Sequence, residues 1–112
     1  MKIHFIYVTF NKLKNAKALS AKLVKLRLAA CTNVIPNIHS TYAWKGKIVV
    51  DKECAMIVKT TSAKVKQAIQ FIKSNHPYDQ PAISAFAASQ VVKDFAKWVI
   101  GQTKKFGCTS HD

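Results

Sequence analysis

Two short stretches of this chain are apolar at every position, and no other feature restricts its fold so strongly. Phe5-Ile6-Tyr7-Val8 and Ala55-Met56-Ile57-Val58 lie in runs whose β-branched and aromatic content marks them as strands. A strand with one solvated face alternates apolar and polar side chains; a strand apolar throughout needs cover on both faces. The chain must therefore supply, or recruit, material on both sides of its sheet.

The remaining pattern shows what it can supply. Residues 3–10 read as a strand, and Asn11 suits the N-cap of a helix over 12–27, with Leu13, Ala16, Leu19, Leu23 and Leu26 on its inner face. Residues 31–44 form a second strand, with a bulge or edge position expected at Pro36. Trp44-Lys45-Gly46-Lys47 is a hairpin turn, and 47–60 is its returning arm, on which Ile48, Val50, Cys54, Met56 and Val58 share a face. Ser62 suits the cap of a helix over 63–74, two prolines keep 75–81 irregular, 82–88 is a short strand, and Ser89 or Gln90 opens a helix over 91–101. Residues 1–101 thus make one domain, followed by a polar tail, 102–112. The order β-α-β-β-α-β plus a terminal helix predicts an α+β, ferredoxin-like antiparallel sheet. Crossover handedness puts its first two helices on one face. The last helix covers part of the other face. The rest would expose more apolar area than monomers tolerate, so a cyclic homo-oligomer packed sheet to sheet is expected.

Charge narrows the partners less than its size suggests. Eighteen basic and five acidic residues give a net charge of +13 over 112 residues, but the lysines run from Lys2 to Lys105 without a dense block. Lys14, Lys17, Lys22 and Lys25 share a helical arc opposite Leu13, Leu19, Leu23 and Leu26, as a solvated face would. Nucleic acid is therefore not the expected partner, and any polyanion binding should be weak and sequence-blind. No apolar run approaches the ~18 residues of a membrane span. The start, Met1 to Val8, is short and aromatic for a secretory signal, so a cytoplasmic location is expected. Cys31, Cys54 and Cys108 show no zinc-like spacing and read as free thiols.

The hairpin register tests specific pairings. A tip at Lys45-Gly46 sets Cys31 opposite Thr60 and Cys54 opposite Asn37, which separates the two cysteines by ~20 Å and excludes a disulfide. It places His39 diagonal to Cys54, ~7–8 Å away, a spacing that suits a soft metal unless a bulge at Pro36 intervenes. Cys54 also shares an apolar stripe with Met56, so a core role is expected. Cys31 and His39, ~26 Å apart on an extended strand, share no ion.

Four motifs in order carry a resemblance: Leu26-Arg27-Leu28-Ala29-Ala30-Cys31-Thr32-Asn33-Val34-Ile35-Pro36, Ser40-Thr41-Tyr42-Ala43-Trp44-Lys45-Gly46-Lys47-Ile48, Lys59-Thr60-Thr61 and His76-Pro77-Tyr78. Together they resemble the CutA family, named for divalent-cation tolerance, over roughly residues 3–100. The resemblance implies a ferredoxin-like homotrimer associated with copper and other divalent cations, with no defined enzymatic activity. It also implies an architecture shared with PII signalling proteins, which bind small effectors between subunits. Animal relatives are linked to anchoring of acetylcholinesterase. Cys31 and His76 stand at the motif positions the family associates with copper. Where family members commonly carry two glutamates after His-Pro-Tyr, this chain has Asp79 and Ala82, which shortens one carboxylate arm and removes the other.

Tyr42, Trp44, Asp51, Lys59, Tyr78 and Asp79 are the candidates for a ligand-binding cleft, aromatic-lined with Lys59 as a charge anchor. Asp51 and Glu53 read as a solvated pair, no acid–base pair with an orienting group stands out, and the three glycines are too scattered for a phosphate loop. The expected protein is a non-enzymatic, divalent-cation-binding homotrimer, with copper as the first candidate. The alternative is a PII-like effector-binding or scaffolding trimer.

Overall fold

The computed structural model describes residues 1–104, so Cys108, His111 and most of the expected tail lie outside the described residues. The elements run β1 (Ile3–Phe10), α1 (Leu13–Lys25), β2 (Cys31–Trp44), β3 (Lys47–Thr61), α2 (Val65–Asn75), β4 (Ile83–Ala87) and α3 (Lys93–Gln102). They form one four-stranded sheet in the order β2-β3-β1-β4, with every neighbouring pair antiparallel. This is the expected ferredoxin-like arrangement.

The two fully apolar strands are neighbours at the centre of the sheet, with Ile6 opposite Val58 and Val8 opposite Met56. Their even-numbered side chains face α1 and α2. Ile6, Val8, Phe10, Cys54, Met56 and Val58 pack there against Ala16, Leu19, Leu23, Ala68 and Ile72. Their odd-numbered side chains face the other way and have less cover. Ile3 and Phe5 are met by Val99, Phe95 and Ile100 of α3, but Tyr7 stays 40% exposed and Phe86 on β4 53%.

The helices start later than their expected caps. Lys12 occupies the N-cap of α1 without a side-chain hydrogen bond, and Asn11 precedes it. Ser62 does not cap α2: its amide still extends the sheet, donating to the Lys2 carbonyl at 2.9 Å, a turn over 62–64 follows, and Lys64 holds the N-cap position instead. The N-cap of α3 is Val92, not Ser89 or Gln90. Leu13 and Leu26, assigned to the inner face of α1, are exposed: one is its first residue and the other its C-cap, where the helix ends and its packing gives out.

The β2–β3 hairpin closes through Lys45 and Gly46, both at positive φ (50° and 78°), the signature of a two-residue type I′ turn. The expected register holds from Trp44↔Lys47 to Ile38↔Glu53, then shifts by one residue at Pro36-Asn37, so that Cys31 faces Lys59 rather than Thr60. Asn37, at φ 62°, is the pivot of this bulge rather than a partner of Cys54. The outer half of β3 runs past the end of β1 and pairs only with β2. Helix cover ends there too, and Ile48 and Val50 are 74% and 63% exposed although they continue the stripe of Cys54, Met56 and Val58. This arm gives the chain its 57 Å length, against 27 and 21 Å in the other directions.

The bulge yields a direct test. A β-branched residue at a left-handed position costs about 1–2 kcal/mol, whereas glycine adopts it freely. Urea unfolding of Asn37→Val is expected to show a loss of that size and Asn37→Gly no loss; equal effects would show that the pivot carries no strain.

Candidate functional site

The overhanging hairpin and the loop after α2 meet beyond the end of β1. Tyr42, Trp44, Tyr78, Asp79 and Gln80 line a recess of about 610 Å³ there. Four of the six expected cleft residues thus come together within one chain, and Asp51 joins them through the Tyr42 hydroxyl, which donates to its Oδ2. Lys59 does not. It sits eight residues further along β3, ~27 Å away on an extended strand, with Nζ 5.9 Å from the Phe5 ring and 5.8 Å from that of Phe95.

Glu53, expected to be one of a solvated pair with Asp51, is instead half-buried and held by two hydroxyls. Ser40 donates to its Oε1 at 2.6 Å and Tyr78 to its Oε2 at 2.7 Å, so Glu53 ties the loop to the hairpin. The signal was available in the register: with Ile38 opposite Glu53 and Ser40 opposite Asp51, Ser40–Glu53 and Tyr42–Asp51 are diagonal cross-strand neighbours. Three of the chain's five acids, Asp51, Glu53 and Asp79, therefore gather at this recess on a strongly basic molecule. Burial and then the hydrogen bond to Glu53 hold the Tyr78 phenol well above its usual range. The hydrogen bond to Asp51 raises that of Tyr42.

His76 anchors the loop from the other side. Its ring stacks on Phe10 with centroids 4.3 Å apart. Nε2 lies 2.8 Å from the Thr9 carbonyl oxygen, and Nδ1 accepts the Tyr78 amide proton at 3.1 Å. The amide donor fixes the neutral tautomer, with the ring proton on Nε2. Both nitrogens are in use.

Cys31 is half-buried at the start of β2, opposite Lys59, which in turn lies opposite Phe5. Thr9, which His76 contacts, is four residues further along β1, so Cys31 and His76 of one chain are at least ~13 Å apart and share no ion. Cys54 is buried, donates to the Phe10 carbonyl, and has a thiol pKa raised chiefly by burial. It is a core residue; His39 is exposed. Cys31 and Cys54 are both free. Among the described residues no three His, Cys, Asp or Glu side chains are grouped to hold a metal ion. No helix there is long and apolar enough to cross a membrane.

Comparison with known proteins places these features in a family. Residues 4–102 match the family model described as CutA1 divalent ion tolerance protein. The chain is 41% identical over 93 residues to "Protein CutA" of Mus musculus, a match covering 83% of this chain and 52% of that protein. The chain thus spans about half the length of this mammalian relative. It is 38% identical over 96 residues to the "Divalent-cation tolerance protein CutA" of Archaeoglobus fulgidus, covering 86% of this chain and 93% of that one. The crystal structure of divalent ion tolerance protein CutA1 from Ehrlichia chaffeensis superposes with a TM-score of 0.90 at 37% identity, covering 94% of this chain and 99% of that chain.

The two tyrosine–carboxylate bonds predict a delayed ionisation. A free phenol titrates near pH ~10. The folded chain keeps the Tyr78 proton beyond that point while the unfolded chain loses it, so stability falls as pH rises past about 10. Ultraviolet titration is expected to show a late tyrosinate component that shrinks in Tyr78→Phe and is lost in Tyr42→Phe/Tyr78→Phe; an undiminished late component in Tyr78→Phe would contradict the assignment.

Proposed function

This chain belongs to the CutA1 divalent ion tolerance family, and from that membership and its half-covered sheet we propose that it works as a homotrimer that binds divalent cations, copper first, without catalysing a reaction. The observation that carries the reading is the uncovered face of the central sheet. Tyr7, Ile35 and Phe86 form an apolar surface that sibling chains would bury. The same packing would bring a neighbour's groups to Cys31, which lies on this face beside Lys59.

A cation held by this protein draws on more than one chain in this reading, because one chain does not assemble three ligands. Copper and zinc favour thiolate and imidazole donors. Cys31 is the stronger candidate, since it is partly accessible and free. Binding at His76 first has to break a hydrogen bond to Thr9 or to Tyr78. Asp51 and Glu53 at the recess are already engaged by hydroxyl donors, which supports binding rather than acid–base catalysis. The free thiols of Cys31 and Cys54 fit a reducing cytoplasm.

The recess itself favours the second reading, a small effector bound in the PII manner. Aromatic walls with a few fixed polar groups are the usual lining of a ligand site, and Asp79 and Ala82 in place of the family's usual glutamates would alter what it accepts.

Copper titration followed by tryptophan fluorescence separates the two. Saturable quenching that weakens at least about tenfold in Cys31→Ser supports the metal reading. Loss in His76→Ala as well would assign both candidates. Quenching unchanged in both variants, with the chain ended at residue 104 to remove Cys108 and His111, would reject this metal site and leave the effector reading.

A further inference from the structure

Six lysines from two separate segments of the sequence are brought by the fold onto one surface. The layer formed by α1 and α2 carries Lys14, Lys17, Lys22, Lys25, Lys66 and Lys73, all exposed. No aspartate or glutamate occurs before Asp51 or between Glu53 and Asp79, so neither helix holds an acid, and the three acids between those limits lie at the hairpin recess or its loop. Lys14, Lys17, Lys22 and Lys25 line the outward arc of α1 over ~16 Å, and Lys66 and Lys73 that of α2 over ~10 Å. Between the helices lies a groove of about 350 Å³ whose lining includes Asn15, Lys22, Ser74 and Asn75 and no carboxylate.

We propose that this face binds the phosphate backbone of duplex nucleic acid without reading its sequence. Lysine, serine and asparagine are the side chains that contact phosphate oxygens. Their point charges and single hydrogen bonds position a duplex but lack the planar forks by which arginine reads guanine. The outward arcs hold no aromatic ring on which an unpaired base would stack. Between the lysines stand Ala18, Ala21 and Gln70; the exposed apolar residues Leu13, Val24 and Leu26 lie at the edges and ends of the α1 arc rather than within it, a scatter that gives a bilayer no continuous apolar stripe to anchor. A duplex is the polyanion that matches two rows of charge on a rigid scaffold. The face lies opposite the sheet surface assigned to sibling chains, so both can be engaged at once.

Fluorescence anisotropy of a labelled mixed-sequence duplex of about 20 base pairs, across a salt series, tests this. Binding in the range of about 10⁻⁴–10⁻⁶ M is expected, with a log–log salt slope that drops by about 0.9 for each contacting lysine removed. Lys17→Gln/Lys22→Gln/Lys25→Gln is expected to weaken binding at least tenfold. Arginine at the same three positions restores it. Lys45→Gln/Lys47→Gln/Lys52→Gln on the hairpin, which removes the same charge, leaves it within about twofold. Equal losses in the two glutamine triples would reduce the effect to net charge and overturn the proposal. So would tighter binding to a single strand of the same length, or binding to phosphatidylserine vesicles with none to the duplex.

Discussion

The pairing of β1 with β3 is the constraint on which the rest of the molecule depends. Ile6, Val8, Met56 and Val58 are completely buried on one side of that pair, and Phe5, Tyr7 and Ile57 occupy the other. A fully buried side chain of this size contributes roughly 1.5–3 kcal/mol, so neither face can be given up. Helices α1 and α2 answer the demand on one side. On the other, α3 covers the Ile3–Phe5 end alone, and the remaining surface calls for another chain.

The hairpin follows from the same geometry. β3 is long enough to pair with β1 along one half and to project with β2 along the other. The bulge at Pro36-Asn37 resets the register where the two halves meet. The projecting half brings Tyr42 and Trp44 beside the loop that His76 pins to Thr9, and Glu53 closes the junction through Tyr78 and Ser40. The acidic, aromatic recess is thus a product of strand length rather than of a local motif. Helices α1 and α2, by contrast, carry six exposed lysines and no acid.

Much of this was legible in the residues. Strands β1 and β3 and the hairpin turn follow from apolar runs and from Lys45-Gly46, and the bulge from Pro36, because these signals are local. The helix starts were less so: Asn11 and Ser62 are good capping residues, but Ser62 still belongs to the sheet, its amide bonded to Lys2 across 60 residues of sequence, and the helix begins only after the turn that follows. Ile48 and Val50 continue an apolar stripe whose cover ends before it reaches them, and periodicity does not reveal where a neighbouring helix stops. Tyr42, Trp44, Tyr78 and Asp79 were grouped through the family resemblance and do meet. Lys59 was grouped with them and lies far along the strand, next to Cys31. Glu53 was hidden by its resemblance to a solvated carboxylate, because its partners become visible only when the cross-strand diagonal is drawn.

The account stands or falls on the uncovered sheet face. Sedimentation equilibrium of the full chain over a range of micromolar concentrations measures it most directly. A mass well above the single chain's 12.5 kDa, unchanged on dilution, is the result that burial of this face predicts, and three times that mass is what the proposed homotrimer predicts. A soluble, folded single chain at those concentrations would contradict it.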